Sequence, residues 1–282
     1  MISTLTSAEL LELATAPADD PRPAPPTLVV LAHPDDETLG LGARLSRFSG
    51  AQFVYLTDGS PRNMVDARSL GFATREDYAA ARRGELFAAL GAVGVSPRQI
   101  HLLNSIEQEA AGHMPRMVRR VARLIQQFRP EVIVTHAFEG GHPDHDAAAF
   151  VAHTAAQAAT RPDGEAPVII EMGGYHGTQR GLVYGQFLPA EGREEVRYAL
   201  SAAEMKAKAA LLAAFQTQQR AVATYPRGEE AFRIAPEYNF LEPPHPGRLH
   251  FETQTWSMNG SRWRTLARAA YFELGMRGRA LR

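Results

Sequence analysis

Two short stretches of this chain concentrate side chains that bind metals and move protons. The first is Ala32-His33-Pro34-Asp35-Asp36-Glu37, directly after the apolar run Leu28-Val29-Val30-Leu31. His33 and Asp36 stand three residues apart across a proline-stiffened turn, a spacing that lets both reach one metal ion. Asp35 would then lie beside the ion without ligating it. The second stretch runs from His136 to Asp146 after the apolar run Val132-Ile133-Val134, and holds three histidines and three acidic residues. A catalytic zinc site commonly takes three protein ligands and leaves a fourth position for water. His33, Asp36 and His145 would supply two nitrogens and one oxygen, a set that favours zinc.

A purely structural reading exists for each stretch. Asp35 or Asp36 could cap the helix expected from Glu37, and Asp144 or Asp146 the one expected after Pro143, because acidic residues are common N-caps. The pairing favours chemistry. Two His-Pro-Asp units each follow a buried strand, and in an open α/β sheet ligands bind beyond the carboxyl ends of the strands. A parallel sheet would bring both units to the same edge.

The elements that would position them alternate. Continuous apolar runs predict buried parallel strands at Leu28–Leu31, Gln52–Leu56, Ile100–Leu103, Val132–Val134 and Val168–Ile170. Between them, helical patterns cover Glu37–Phe48, Tyr78–Leu90, Met114–Phe128 and Asp146–Ala159. Thr57–Asn63 reads as a loop of turn formers. The alternation predicts an α/β fold, a Rossmann-like αβα sandwich with a mostly parallel sheet. The C-terminal third is less regular. Leu182–Leu188 and Val196–Leu200 read as paired or edge strands. Ser201 to Glu204 forms a capping box opening a helix over Ala202–Gln216. Tyr225–Pro246 reads as loop, and Arg262–Leu274 as a closing helix. At the other end, Ser7–Ala14 reads as a short helix and Ala16–Thr27 as a proline-rich surface connector. The expected organisation is an N-terminal extension, 1–26, and one domain, 27–282.

Composition narrows the chemistry. The 282 residues include 45% hydrophobic ones, enough for a sizeable core, and the net charge is -1. That balance gives no footprint for nucleic acid. There are no cysteines, so thiolate nucleophiles and Cys-ligated metals are excluded and any metal site is built from His, Asp and Glu. No run approaches the length of a membrane span. The first residues lack a basic segment followed by an apolar one, so a cytoplasmic protein is expected. The sequence carries no signal for oligomeric state.

"AHPDDE" at 32–37 with "GHPDH" at 141–145 resembles the PIG-L/LmbE-like deacetylases, which include N-acetylglucosaminyl-phosphatidylinositol deacetylase and the mycothiol- and bacillithiol-pathway deacetylases. The resemblance extends from Leu28 to about Ala159 and takes in "LTDG" at 56–59 and "RRGELFAALGAVGV" at 82–95. It implies a Rossmann-like fold and a Zn2+-dependent hydrolase that removes the acetyl group from a small N-acetylated amino sugar or sugar conjugate. By position, His33, Asp36 and His145 match the family's zinc ligands and Asp35 its general base. His142 matches the histidine that assists the tetrahedral intermediate, and Asp144 the residue that orients it; in the expected mechanism a protonated His142 stabilises the oxyanion together with zinc. Arg82, with Glu85, matches the substrate-contacting Arg-x-x-Glu helix. Some members carry a tyrosine two residues before the catalytic histidine, where this chain has Gly140, so support for the oxyanion must come from elsewhere or from His142 alone. Two other functions stay open: an amidase on another sugar-linked amide, such as a thiol-sugar conjugate, and a silent sugar-binding module.

Among the remaining polar residues, Gly173 to Gly177 reads as a glycine-rich turn with a surface His176, and a cleft-lining role is its alternative. His136 is expected behind the ligands or in the core, and His101 in a structural role. Glu107, Gln108 and Glu109 form a solvated loop by default, with sugar binding as the alternative. Arg119, Arg120 and Arg123 read as a wet helix face, and Trp256 and Trp263 as packing residues.

Overall fold

The computed structural model describes residues 5–159 and 166–276. The strands are β1 (Thr27–Leu31), β2 (Gln52–Pro61), β3 (Ile100–Glu107), β4 (Val132–His136), β5 (Val168–Met172), β6 (Tyr175–Thr178), β7 (Gly181–Tyr184), β8 (Val196–Ala199) and β9 (Glu229–Ile234). The helices are α1 (Ser7–Ala14), α2 (Asp36–Leu41), α3 (Val65–Ser69), α4 (Arg75–Ala92), α5 (Met114–Phe128), α6 (Pro143–Ala158), α7 (Ala202–Leu212), α8 (Gln219–Val222) and α9 (Gly260–Glu273). The main sheet has the order β3-β2-β1-β4-β5-β9-β8. Its first five strands run parallel, β9 runs antiparallel to β5, and β8 pairs antiparallel with β9. This is the expected α/β architecture with a more irregular C-terminal part.

Strand period two sorts the core into two layers. Leu28, Val30 and Ala32 face α5, α6 and α9, whereas Val29 and Leu31 face the side covered by α1, α2, α4 and α7. Every residue of β1 and β4 is buried, which is why both read as continuous apolar runs rather than alternating ones. From β1 the chain winds outward through β2 and β3. It then crosses to β4 on the opposite side of β1. The β1/β4 seam is therefore the topological switch point, where the loops beyond two neighbouring strands part and leave a crevice.

Two sequence expectations are corrected. β2 continues through Thr57–Pro61, and its register against β3 shifts twice there, so the turn formers mark bulges inside a strand. Glu229–Ile234, expected within a loop, is β9, inserted between β5 and β8. Its sequence hides it because Glu230 and Arg233 are buried as ion pairs, with Arg44 and Lys208 in one case and Glu171 in the other. The two expected C-terminal strands form, one paired and one at an edge. β7 makes a separate hairpin with β6, and β8 is an edge of the main sheet.

The N-terminal segment is not detached. The capping box of Thr6 and Glu9 opens α1, and Leu10, Leu11 and Ala14 join the second core layer. The Arg44 Nε donates to the Thr15 carbonyl at 2.6 Å, and the Arg47 guanidinium to the carbonyls of Leu13, Asp20 and Arg22.

Candidate metal centre and substrate cleft

His33 and Asp36 follow β1, and His145 lies in the first turn of α6 beyond β4. The seam brings them together. The closest approaches are 3.4 Å from His33 Nδ1 to Asp36 Oδ2, 3.4 Å from His145 Nε2 to Asp36 Oδ1, and 3.3 Å between His145 Nε2 and His33 Nδ1. Donor atoms around a tetrahedral ion with bonds of about 2.0–2.1 Å stand about 3.3–3.4 Å apart. His33 Nε2 meets Asp144 Oδ2 at 3.3 Å. With a proton on Nε2, the Nδ1 lone pair faces a carboxylate and a second imidazole, an electron-rich arrangement that a cation relieves. The same carboxylates push the His33 pKa well above its ordinary value despite the opposing effect of burial.

Two other donor groups overlap this one at His145: His33 with His142, and Asp36 with His136. The rings of His136 and His145 are stacked, 4.0 Å apart and 14° from parallel. In-plane lone pairs of parallel rings run side by side, so these two nitrogens do not converge on one point. His136 Nε2 instead accepts the Ala32 N–H at 3.2 Å and lies 3.1 Å from Asp36 Oδ2.

Asp35 occupies the N-cap position of α2 but makes no capping hydrogen bond, and its φ is +124°. A non-glycine residue in this region is strained by about 1–3 kcal/mol. That argues against the capping role and fits a side chain aimed for another purpose. The Arg82 Nη2 donates to Asp35 Oδ2 at 3.0 Å. Burial raises the carboxyl pKa well above its usual range, against the pull of Arg82.

His142 caps α6: its Nδ1 accepts the Asp144 N–H at 3.1 Å. That leaves the ring's proton on Nε2. Burial, then the neighbouring His33 and His145, pushes its pKa well below the ordinary value. The expected partnership with Asp144 also changes. The Asp144 carboxylate lies 3.9 Å from His142 Nδ1, but accepts from the backbone N–H of Gln108 at 2.5 Å and of Ala110 at 3.0 Å, and meets His33 Nε2. Asp144 orients His33 and the turn after β3. What holds His142 is the Asp144 backbone.

Arg82 is buried, not reaching outward. Its guanidinium donates to the carbonyls of Pro34 and Gly59 and to Glu107 Oε2 at 3.2 Å, besides Asp35. It has no contact with Glu85, whose carboxylate is taken by the Thr217 N–H and hydroxyl. Glu107 lines the cleft, with Oε1 4.0 Å from His142 Nε2. Glu109 turns away to Arg62, and Gln108 contributes only its backbone.

These groups floor a cavity of about 290 Å³. Its walls come from the C-terminal third: Tyr175 and Tyr184 of the β6–β7 hairpin, Tyr225 after α8, and Trp256. The Trp256 ring lies 4.5 Å from that of His142, and Tyr175 meets His145 edge-on at 5.4 Å. Trp256, expected to pack, is thus a cleft residue, whereas Trp263 is in the core and donates to the Pro143 carbonyl. The aromatic wall had no sequence signal, since its members are scattered over 82 residues of irregular structure. His176 lies behind that wall, buried with Nδ1 3.6 Å from Glu139 Oε2. His101 bonds to Gln52 at 2.9 Å, the structural role expected. Gly140, at φ +72°, is covered by Leu249, which a Cβ there would approach to 2.7 Å.

Residues 28–156 match the family described as PIG-L: GlcNAc-PI de-N-acetylase. The chain is similar to 1D-myo-inositol 2-acetamido-2-deoxy-alpha-D-glucopyranoside deacetylase 2 of Catenulispora acidiphila, with 36% identity over 156 residues, covering 47% of this chain and 51% of the relative. The chain spans about half the length of the curated relatives it matches. Its fold is similar to that of N,N'-diacetylchitobiose deacetylase from Pyrococcus horikoshii, with a TM-score of 0.55, 17% identity, and 84% and 95% of the two chains covered. It is also similar to that of 4-carboxy-2-hydroxymuconate hydratase from Pseudomonas putida KT2440, with a TM-score of 0.54, 16% identity, and 76% and 98% covered. At these identities the structural likeness speaks for the fold alone. Among the described residues, no helix is long and apolar enough to cross a membrane.

Proposed function

From the PIG-L-family domain that this chain carries over residues 28–156, we propose that it is a zinc-dependent N-deacetylase acting on an N-acetylated amino sugar or sugar conjugate. The fold does not decide the chemistry, since a hydratase shares it. The observation that carries the reading is the convergence of His33, Asp36 and His145, whose closest approaches are 3.3–3.4 Å with the two Asp36 oxygens each facing one histidine, beside the strained Asp35.

His33 Nδ1, Asp36 and His145 Nε2 would hold the zinc, which when bound supplies Lewis acidity and a water acidic enough to react near neutral pH. Asp35, fixed through one oxygen by Arg82, takes the proton of the attacking water. His142 donates from Nε2 to the amide oxygen as that oxygen gains negative charge. Asp35 then returns the proton to the nitrogen as the C–N bond breaks, giving acetate and a free amine. Arg82 positions Asp35 and Glu107. A silent binding module would have no use for a strained carboxylate beside the donors.

The test is acetate release from N-acetylglucosamine compounds before and after removal of metal by a chelator. We expect release that stops with the chelator and returns with added zinc. A protein that binds no metal and releases no acetate sinks the proposal. Release of an amine from a thiol-sugar amide, with acetamido sugars untouched, would move it to the other amidase reading. A cytoplasmic location belongs to the same proposal and is checked by cell fractionation.

A further inference from the structure

The strained backbone at Asp35 is gripped from two sides. In the peptide unit joining Pro34 to Asp35, the carbonyl oxygen accepts from Arg82 Nη2 at 2.7 Å and the N–H donates to Glu37 Oε2 at 3.1 Å. A cation therefore holds one edge of that peptide plane and a carboxylate the other. The chain beyond Asp35 is fixed as well, because the Asp35 carbonyl accepts the N–H groups of Thr38 and Leu39, both at 3.0 Å, at the start of α2. With the peptide planes on both sides held, the φ between them cannot relax from +124°. A residue in a sparsely populated region persists only where its surroundings over-determine it. The clamp also has a direction. A flipped peptide would set the Pro34 carbonyl against the Glu37 carboxylate and the Asp35 N–H against a guanidinium, so both contacts would turn repulsive.

Glu37 is fully buried, and the cleft lining does not include it. Tyr55 of β2, also fully buried, donates its hydroxyl to the same Oε2 at 3.0 Å, and the Thr38 hydroxyl donates to Oε1 at 2.7 Å. Two hydroxyls, one from the sheet and one from α2, thus aim one carboxylate at one N–H. A carboxylate that served only the dipole of a helix start would need neither burial nor a tyrosine from another element. Resting on the deacetylase reading, we propose that Glu37, aimed by Tyr55, is a positioning residue for Asp35: by fixing the Pro34–Asp35 peptide it keeps the Asp35 carboxylate beside His33, Asp36 and His145. Glu37 acts through the Asp35 backbone and moves no proton itself.

The test is a double-mutant cycle on acetate release from N-acetylglucosamine by the zinc-loaded protein, with zinc content and crystal structures of the variants beside it. Glu37→Leu removes the acceptor. Glu37→Gln keeps it, since the amide oxygen accepts from the Asp35 N–H while the NH2 donates to the Thr38 hydroxyl, which accepts as well as it donates. We expect Glu37→Leu to lower kcat by about 10- to 100-fold, the scale of a reacting group displaced by about 1 Å, with KM and bound zinc unchanged. Glu37→Gln should recover most of that loss. In an Asp35→Asn background Glu37→Leu should lower kcat no further, because residues that act as a unit are not additive. In crystals of Glu37→Leu the Pro34–Asp35 peptide should turn and the φ of Asp35 leave the region of +124°. Losses that multiply in the double variant, an unchanged kcat, zinc lost with Glu37→Leu, or an unmoved peptide would overturn the inference and leave the deacetylase reading intact. If Glu37→Leu does not fold, Glu37→Leu combined with Thr38→Val and Tyr55→Phe takes its place, because it strands neither hydroxyl in the core. If the wild-type protein releases no acetate from any acetamido sugar, the deacetylase reading falls, and the crystal comparison decides the clamp: a turned peptide supports it, and an unmoved one overturns it.

Discussion

Asp35 and Asp36 are adjacent and chemically identical, yet the backbone gives them different tasks. Asp36 turns towards three imidazoles, and Asp35, at φ +124°, towards Arg82. Asp35→Asn should keep metal and fold but lower kcat by about 10²–10⁴-fold, whereas Asp36→Ala should lose metal and activity together. Metal analysis beside an acetate assay separates the two, and an active Asp35→Asn would reassign the base. Arg82 poses a different question, because it is buried between two carboxylates. Arg82→Met leaves Asp35 and Glu107 without their cation and should cost about 3–5 kcal/mol of stability, read from urea unfolding. A surface pair would be worth under about 1 kcal/mol. The sequence made the convergence of His33, Asp36 and His145 legible because His-Pro-Asp twice after a strand is rarely accidental. It did not make Arg82 legible as a positioning residue, because its partners Pro34, Gly59 and Glu107 come from the ends of three different strands.

Each strand end contributes one part of the site, and Asp144 ties three of them. Its carboxylate fastens His33 beyond β1 and the backbone after β3, from its own place at the start of α6. Asp144→Asn replaces one of those acceptor oxygens with an NH2 group. It should weaken metal affinity by about 10- to 100-fold, as loss of a partner behind a ligating histidine does. His142 should stay in place, since the Asp144 N–H that holds it survives. Competition with a fluorescent zinc chelator measures the first effect. The β6–β7 hairpin lies in close contact with the turn before α6: a Cβ on Gly141 would stand 2.0 Å from the Tyr175 carbonyl oxygen. Gly141→Ala must therefore push the hairpin off the cleft. We expect a loss of about 1–3 kcal/mol and weaker binding of substrate. The regular elements were legible from apolar periodicity, which placed α5 at its observed limits, Met114–Phe128. The hairpin was not, because four-residue strands rich in glycine carry too little pattern.

At the scale of the whole molecule, acid sensitivity has an identifiable contributor away from the metal site. His153 lies on α6 among Tyr238 and Phe240, its Nε2 buried without a partner, and burial lowers its pKa to about 4. A group depressed in the folded state stabilises it fully above the unfolded value near 6.5 and loses that contribution as pH falls towards about 4. The loss amounts to about 2–3 kcal/mol, discounted because the ring edge is partly exposed. In chelator, His153→Phe should flatten the fall of the melting temperature between those pH values; an unchanged slope would place the sensitivity elsewhere. The sheet's far side was the least legible part of the fold, because its seam is ionic: Glu171 of β5 stands opposite Arg233 of β9, with Nε to Oε2 at 2.7 Å. That seam has a consequence for the order in which the chain is made. β5 leaves the ribosome 57 residues before β9 begins, and for that interval it is an open edge with three aliphatic residues. A carboxylate on a waiting edge deters pairing with another chain. Glu171 is thus a guard while synthesis is under way and becomes half of a bond only when Arg233 arrives. Replacing both by valine should leave a closed sheet but raise the aggregated fraction on refolding.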